Sequence, residues 1–269
     1  MIMFTQYFGL KFNPFAKELD EKDAFMSKDS KELLSRLEYI KRTRGFFLLT
    51  ADSGFGKTTQ LRTFSSALSP GLYKVCYSAL SSLTVMDFYR SLILRMGEEP
   101  AYQKVMMFEQ LQRLISASYY ERKVTPVFIL DEAQSLSNGV LEDLRMIFSF
   151  RMDSENPFIT ILAGNNTIRR KLQLSANQAL RQRITGNYHM VGLLREELGD
   201  YIKSRLTLAG AADASVFTET ALESMFISTG GALRMINNLA AASLTCACAR
   251  NQSIVDDEVV YQADRDIEI

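Results

Sequence analysis

Ala51-Asp52-Ser53-Gly54-Phe55-Gly56-Lys57-Thr58 is the stretch on which the reading of this chain turns. Before it runs Gly45-Phe46-Phe47-Leu48-Leu49-Thr50, with the length and flanks of a buried strand. After it, Thr59-Gln60-Leu61-Arg62-Thr63-Phe64 reads as the opening turns of a helix. Strand, glycine-bearing loop and helix is the setting in which backbone N–H groups and the positive end of a helix dipole surround a polyphosphate. In that setting Lys57 reaches the β- and γ-phosphates and the Thr58 hydroxyl holds Mg²⁺. The pattern G-x-x-x-x-G-K-[ST] is broken at its first position, where Ala51 replaces glycine. Gly54 and Gly56, whose backbones must approach phosphate closely, are both present. A Gly-Lys-Thr also arises by chance in strand–helix turns, so the rest of the chain has to decide.

The second informative stretch is Pro126-Val127-Phe128-Ile129-Leu130-Asp131-Glu132. Four consecutive apolar residues suit a parallel strand buried on both faces. Two carboxylates follow at its C-terminal end, where ligands bind in open α/β sheets. Burying an unpaired carboxylate is costly, so such acids want a metal or a proton to manage. Asp131 is expected to hold Mg²⁺ through water, and Glu132 to orient and deprotonate an attacking water. An acid pair after a strand is also a common helix N-cap. A third strand, Pro157 to Ala163, ends in Gly164-Asn165-Asn166. Asn165 is placed to contact the γ-phosphate and the attacking water, although asparagine is equally a turn residue. Near the N-terminus, Phe12, Pro14 and Phe15 read either as core or as the apolar wall a nucleotide base needs.

The remaining elements follow from periodicity. Leu33, Leu34, Leu37 and Ile40 give a helix over 29–43. Strands are expected at 46–50, 73–77 and 188–191, with helices from 57 to about 68, at 103–120, 139–150 and 167–183. Residues 78–96, with Leu80, Leu83, Phe88 and Leu92, read as one or two apolar helices. From Leu194 onward the pattern is helical: 195–209, 218–229, 232–249 and 256–266, punctuated by Gly210 and Gly230-Gly231. Alternating strands and helices give an α/β domain with a five-stranded parallel sheet flanked by helices. The expected division is residues 1–193 as the nucleotide-binding domain, with 1–28 lying over the base pocket, and 194–269 as a small all-helical lid.

Composition narrows the class. The 269 residues carry 31 Lys+Arg and 31 Asp+Glu, so the chain lacks the basic excess of an obligate nucleic-acid binder. Three cysteines argue against a disulfide framework, and the single His189 rules out a His-rich metal site. The N-terminus is not a signal peptide, and no apolar run approaches the roughly 20 residues that span a bilayer. A cytoplasmic protein with no membrane partner is expected.

With these residues in hand, the chain resembles the AAA+ ATPases. Within them it is similar to the ExeA-like branch, which contains secretion-associated ATPases and the ATPase subunits of transposition systems (the TnsC, TniB and IstB type). The resemblance covers nearly the whole chain. It runs from Phe8-Gly9-Leu10 and Asn13-Pro14-Phe15, through the loop, to Leu130-Asp131-Glu132-Ala133-Gln134 and Leu141-Glu142-Asp143-Leu144-Arg145. It continues in Leu180-Arg181-Gln182-Arg183-Ile184, Tyr201-Ile202 with Arg205-Leu206, and Gly230-Gly231-Ala232-Leu233-Arg234-Met235-Ile236-Asn237.

The resemblance implies ATP and Mg²⁺ as ligands, with nucleotide contacts from Ser53, Gly54, Phe55, Gly56, Lys57, Thr58 and Thr59, and from Phe12, Pro14 and Phe15. It implies a homo-oligomer, ring or filament, with nucleotide at the subunit interfaces. Arg183, or Arg181 two residues away, would be the arginine finger entering the neighbour's site, with Arg145 a second candidate. Asn165 takes the sensor 1 role and Arg234 the sensor 2 role, although Leu233 stands where the family usually has proline. The first functional expectation is an ATP-dependent regulator of transposition. It would assemble on duplex DNA without strong sequence preference, recruit or activate a transposase, and disassemble on hydrolysis. The chain's end at Ile269, without a membrane span or further domain, is the argument for that choice. Arg90, Arg95, Arg169, Arg170 and Lys171 are the candidate phosphate contacts. The alternative is an ExeA-like assembly ATPase acting on protein clients without DNA.

Overall fold

The continuous apolar runs become the inner strands, because their side chains leave water on both faces at once, and two less buried strands flank them. In the computed structural model, which describes residues 3–16, 23–79 and 84–267, the strands are β1 Gly45–Thr50, β2 Tyr73–Ala79, β3 Thr125–Asp131, β4 Ile159–Gly164 and β5 Ile184–His189. Leu80 and Leu83, read above as helical, lie outside the described residues. The strands pair in the order β2-β3-β4-β1-β5, every pair parallel. Parallel neighbours need long crossovers, which the intervening helices supply.

Contacts divide the chain into two units. The α/β unit comprises Glu32–Asp52 and Lys57–Met190, and therefore the whole sheet. Its helices are α2 (Lys28–Thr43, from the second turn on), α3 (Lys57–Ala67), α4 (Val85–Met96), α5 (Lys104–Ser116), α6 (Asn138–Ile147), α7 (Asn166–Gln173) and α8 (Gln178–Gln182). β3 is buried along almost its full length, with Val127, Phe128, Ile129 and Leu130 all fully enclosed. At about 1.5–3 kcal/mol for each large apolar side chain buried, this strand anchors the fold. The Phe148 ring packs on Phe158 at 4.5 Å, Phe128 at 5.2 Å and Phe46 at 5.6 Å, tying β1, β3 and the residue before β4 to the end of α6.

The register sets what the sheet presents. Thr50 lies beside Gly164, and Leu130 beside Leu162. The C-terminal ends of β1, β3 and β4 therefore sit side by side, and so do the segments that leave them.

Three expectations about element bounds are corrected. The last strand is β5 at Ile184–His189, not 188–191, and the helix expected at 167–183 is broken. α7 ends at Gln173, Leu174 turns extended, and a short 3₁₀ turn Ser175–Asn177 precedes α8. β5 is an edge strand whose residues are half-buried or exposed, so it has no continuous apolar run to announce it. Gly186 marks it instead: a Cβ there would lie 2.9 Å from the Phe47 ring on β1. The helix expected to reach 120 also changes character, α5 closing in a π-turn over Ala117–Glu121.

The helical unit comprises the described residues of Met1–Lys31, together with Ser53–Gly56 and Val191–Ile269. It holds α1 (Phe4–Tyr7), α9 (Arg195–Leu208), α10 (Glu219–Thr229), α11 (Leu233–Ala249) and α12 (Asp257–Ile267) around a core of its own. The N-terminal segment, expected with the α/β domain, is grouped with these helices. Leu10 and Phe15 are buried in their core, while Phe12 is 41% exposed.

Candidate functional site

Asp131 ends β3 almost wholly buried, at 2% exposure, and its carboxylate is satisfied from three directions. Thr58 Oγ1 donates to Oδ2 at 2.8 Å, Tyr77 Oη donates to Oδ2 at 3.2 Å, and the Glu132 amide donates to Oδ1 at 2.9 Å. Burial and the negative charge of Asp131 push the Tyr77 hydroxyl up to about 12, so it stays a donor at neutral pH. A hydroxyl and a carboxylate converging at the strand ends are hard oxygen ligands of the kind Mg²⁺ takes with its waters and a substrate phosphate. The residues present therefore fit that ion.

Lys57 opens α3, and its side chain turns back into the loop that precedes it. Nζ donates to the carbonyls of Ala51 at 2.8 Å and Asp52 at 3.0 Å, and the residue is 8% exposed. The ammonium is held at the mouth of the loop by backbone oxygens. Ala51 is fully buried, and its N–H donates to Gly164 O at 3.1 Å, extending the β1–β4 pairing by one residue. It is not among the residues with positive φ, so this position does not need glycine. The departure from the loop pattern is accommodated for that reason.

Glu132 follows Asp131 in a left-handed conformation, φ 56° and ψ 35°, uncommon for a residue with a side chain. Its carboxylate accepts from Gln134 Nε2 at 2.5 Å, and the Gln134 amide oxygen accepts from the Asn165 N–H at 3.2 Å. Asn165 itself caps α7, its Oδ1 accepting from the Thr167 amide at 2.8 Å. Asn166 reaches the Asp52 carboxylate at 3.3 Å. The pair Asp131-Glu132 and Asn165, over thirty residues on, are thus brought with Lys57 and Thr58 to the C-terminal ends of the inner strands.

Within the helical unit, the loop residues Ser53–Gly56 meet the start of α11. The Arg234 amide donates to Gly54 O at 3.1 Å. Gly54 and Gly56 have φ of 87° and 89°, and a Cβ at either would come within 3.2 Å of Arg234 Cβ or Leu233 Cδ1. Both glycines are needed, for backbone conformation and for space. The Arg234 side chain is exposed. Phe55 packs on Gly192, where a Cβ would lie 2.5 Å from the ring. Asp29, 5% exposed, accepts the amides of Val191 at 3.3 Å and Gly192 at 3.2 Å.

The arginines separate. Arg183 is half-buried and donates to the Arg145 carbonyl and to Ser149 Oγ at 3.3 Å. Arg145 pairs with Glu142 at 2.5 Å on its own helix. Arg181 is exposed, and its side chain makes no hydrogen bond or ion pair to any described residue. Of the basic residues considered for phosphate contact, Lys171 is spent inside the fold, donating to the carbonyls of Gln134 at 2.5 Å and Leu136 at 2.9 Å, and Arg90 pairs with Asp87 at 3.2 Å.

Tyr77, Gln134 and Asp29 escaped the reading of the sequence. Tyr77 looked like any strand aromatic, and Asp29 like a first-turn acid. Gln134 lies in a quoted motif, but its role depends on how far β4 is from β3.

Residues 40–172 match the family model described as AAA domain. Over 265 residues, 97% of this chain, the sequence is 31% identical to general secretion pathway protein A of Aeromonas hydrophila. That alignment covers 48% of the relative, so this chain spans about half its length. Among solved structures, Cdc6p from Pyrobaculum aerophilum superposes with a TM-score of 0.71 at 14% identity, covering 94% of this chain and 70% of that one. The Aeropyrum pernix ORC1 protein, solved in complex with DNA, gives 0.60 at 17% identity over 94% of this chain and 67% of that one. The Thermotoga maritima RuvB Holliday junction branch migration motor gives 0.57 at 19% identity over 96% and 74%. The fold is the α/β P-loop NTPase fold of AAA+ type, with a five-stranded parallel sheet flanked by helices and a helical region after it. Among the described residues, no helix is long and apolar enough to cross a membrane.

Proposed function

We propose, with the AAA+ fold as premise, that this chain is a Mg²⁺-dependent ATPase of ExeA-like type that works as an oligomer on a protein client. The observation that carries the ATPase reading is the meeting of Thr58 with the buried Asp131 carboxylate beside Lys57, at the ends of three parallel strands. The identity with general secretion pathway protein A supports the client class. None of the relatives described above is a transposition protein, so the alternative of the sequence reading replaces its first choice. Duplex DNA and a transposase leave the assignment. The chain's length does not argue for them, since it spans only part of its relative.

The roles follow from position. Lys57 would exchange its backbone partners for the β- and γ-phosphates of ATP, while Ser53–Gly56 and the amides of Thr58 and Thr59 face the phosphate chain. Thr58 and Asp131 would hold Mg²⁺, whose charge would offset that of the phosphates when bound. Glu132 takes a proton from the attacking water as its oxygen bonds to the γ-phosphorus and the bond to the ADP oxygen breaks. Asn165 is assigned the sensor 1 contact, and Arg234 the phosphate contact from the same subunit. Of Phe12, Pro14 and Phe15, proposed for the base wall, Phe12 is the exposed one and the better candidate, since Phe15 is taken up in the core of the helical unit. Arg181 is the preferred finger in trans, because Arg183 and Arg145 are engaged within their own chain and Arg181 is not.

The test has two arms. Phosphate release from ATP should require Mg²⁺ and vanish in Glu132→Gln. Binding to labelled duplex DNA at low salt should be the same with and without a non-hydrolysable ATP analogue. DNA binding that appears only with the analogue would return the transposition reading to first place.

A further inference from the structure

We infer that Gln134 is a positioning residue for hydrolysis, a clamp that fixes the Glu132 carboxylate to the end of β4. The inference rests on the ATPase reading above and goes beyond it, by naming what aims the base. Glu132 leaves β3 in a left-handed conformation, and that backbone does not by itself direct a flexible side chain with three rotatable bonds. The Gln134 amide supplies the direction from both ends. Its Nε2 donates to Glu132 Oε2 at 2.5 Å, and its Oε1 accepts from the Asn165 N–H at 3.2 Å. One amide therefore fixes the distance between the carboxylate after β3 and the residue after β4.

Three further features hold the clamp. Lys171 on α7 donates to Gln134 O at 2.5 Å and to Leu136 O at 2.9 Å, so the backbone carrying the amide is pinned to the same helix that Asn165 caps. Gly164 ends β4 without positive φ, and a Cβ there would lie 2.5 Å from Gln134 Oε1. Glycine at this position serves to admit the amide, not to turn the chain. The residual contacts of such a Cβ, 3.2 Å to Ile168 Cγ2 and 3.3 Å to Gln134 N, ask only for small shifts. A glutamine is suited to the task because it donates at one end and accepts at the other. A glutamate would accept at both and repel Glu132.

The Gln134 amide is engaged at one end with the Glu132 carboxylate and at the other with the Asn165 N–H, both within the fold, so its loss should leave nucleotide binding intact. In Gln134→Ala, kcat for ATP should fall by about 10–100-fold, the range for removing an orienting partner, while KM and the affinity for nucleotide without Mg²⁺ stay within twofold. Amide exchange at Asn165 should speed up, while that at Thr167, capped by Asn165 itself, should not change. Gly164→Ala should reproduce the fall in kcat in the parent but add little in the Gln134→Ala background, because the group it displaces is already gone. A kcat for Gln134→Ala equal to that of the parent overturns the inference, as do additive losses in the double variant. If the parent has no ATPase activity, or keeps it in Glu132→Gln, the functional reading fails first. The Asn165 exchange measurement still reports on the clamp, and unchanged exchange there overturns it.

Discussion

The Thr58 hydroxyl donates to Asp131 Oδ2 over 2.8 Å, across a sequence separation of 73 residues. One partner lies in the first turn of α3 and the other closes β3, and only the sheet brings them together. If this pair holds the metal, Thr58→Ala and Asp131→Asn should leave metal-free nucleotide binding nearly unchanged. Turnover at saturating ATP should fall by about 100-fold or more, since a metal supplies several kcal/mol of charge stabilisation. Phosphate release titrated against Mg²⁺ checks this.

Lys57 and Glu132 should separate binding from chemistry. Lys57→Ala removes the buried ammonium and should abolish binding of a fluorescent ATP analogue. Glu132→Gln keeps shape and loses basicity, so it should bind nucleotide as the parent does and hydrolyse at least about 100-fold more slowly, the lower end expected of a general base. Equal hydrolysis by Glu132→Gln and the parent would remove Glu132 from its role.

The assignment of Arg181 across the subunit seam predicts complementation. Arg181→Ala alone should lose about a thousandfold in kcat, at the lower end for a finger arginine. Mixing it with inactive Lys57→Ala protein should restore turnover, because one variant keeps the pocket and the other the finger. Arg183→Ala should instead lower stability by about 1–3 kcal/mol, the range for losing hydrogen bonds from a charged donor to the half-buried Arg145 carbonyl and Ser149 hydroxyl. No recovery on mixing would place Arg181 outside any neighbour's site.

Ala51 offers a test of the loop itself. It is buried, it extends strand pairing, and its φ is not positive. Restoring glycine there should therefore lower stability by roughly 0.5–1 kcal/mol through backbone entropy, with turnover unchanged. Thermal unfolding alongside phosphate release reads both quantities.

Cys76 on β2 makes stability depend on alkaline pH. Burial pushes its thiol from 9.0 up to about 11, so the folded chain holds the proton after the unfolded chain has released it. The stability this contributes is fully present below pH 9 and is lost as pH rises toward 11. At 1.36 kcal/mol per unit the loss is up to about 3 kcal/mol. Denaturant unfolding between pH 8 and 11 should slope downward in the parent and flatten in Cys76→Ala.

What was legible in the sequence was whatever depends on one stretch of chain at a time. The loop from Ala51 to Thr58, the apolar core of β3 with its terminal acids, and the four long helices after Leu194 carry their signals in consecutive residues. Such local patterns decide between strand and helix because burial on both faces, or along one stripe, writes a distinct period into the chain. β5 carried no such signal, since an edge strand is buried on one side and Gly186 is small for the sake of Phe47 on another strand. The dependence of Gly164 on Gln134 was equally silent, because it follows from the spacing between β3 and β4.

The sequence by itself therefore determined the strand, glycine-bearing loop and helix around Ala51–Thr58, the acids that end β3, and the class of sheet that presents them. Only the tertiary structure decided which groups those acids hold, that Arg183 and Lys171 are committed within the chain while Arg181 is not, and that Phe15 packs among the C-terminal helices. The reason is range. Propensity and periodicity act over a few residues, whereas a hydrogen bond or a buried ring is settled by atoms that only folding brings within about 3–4 Å of each other.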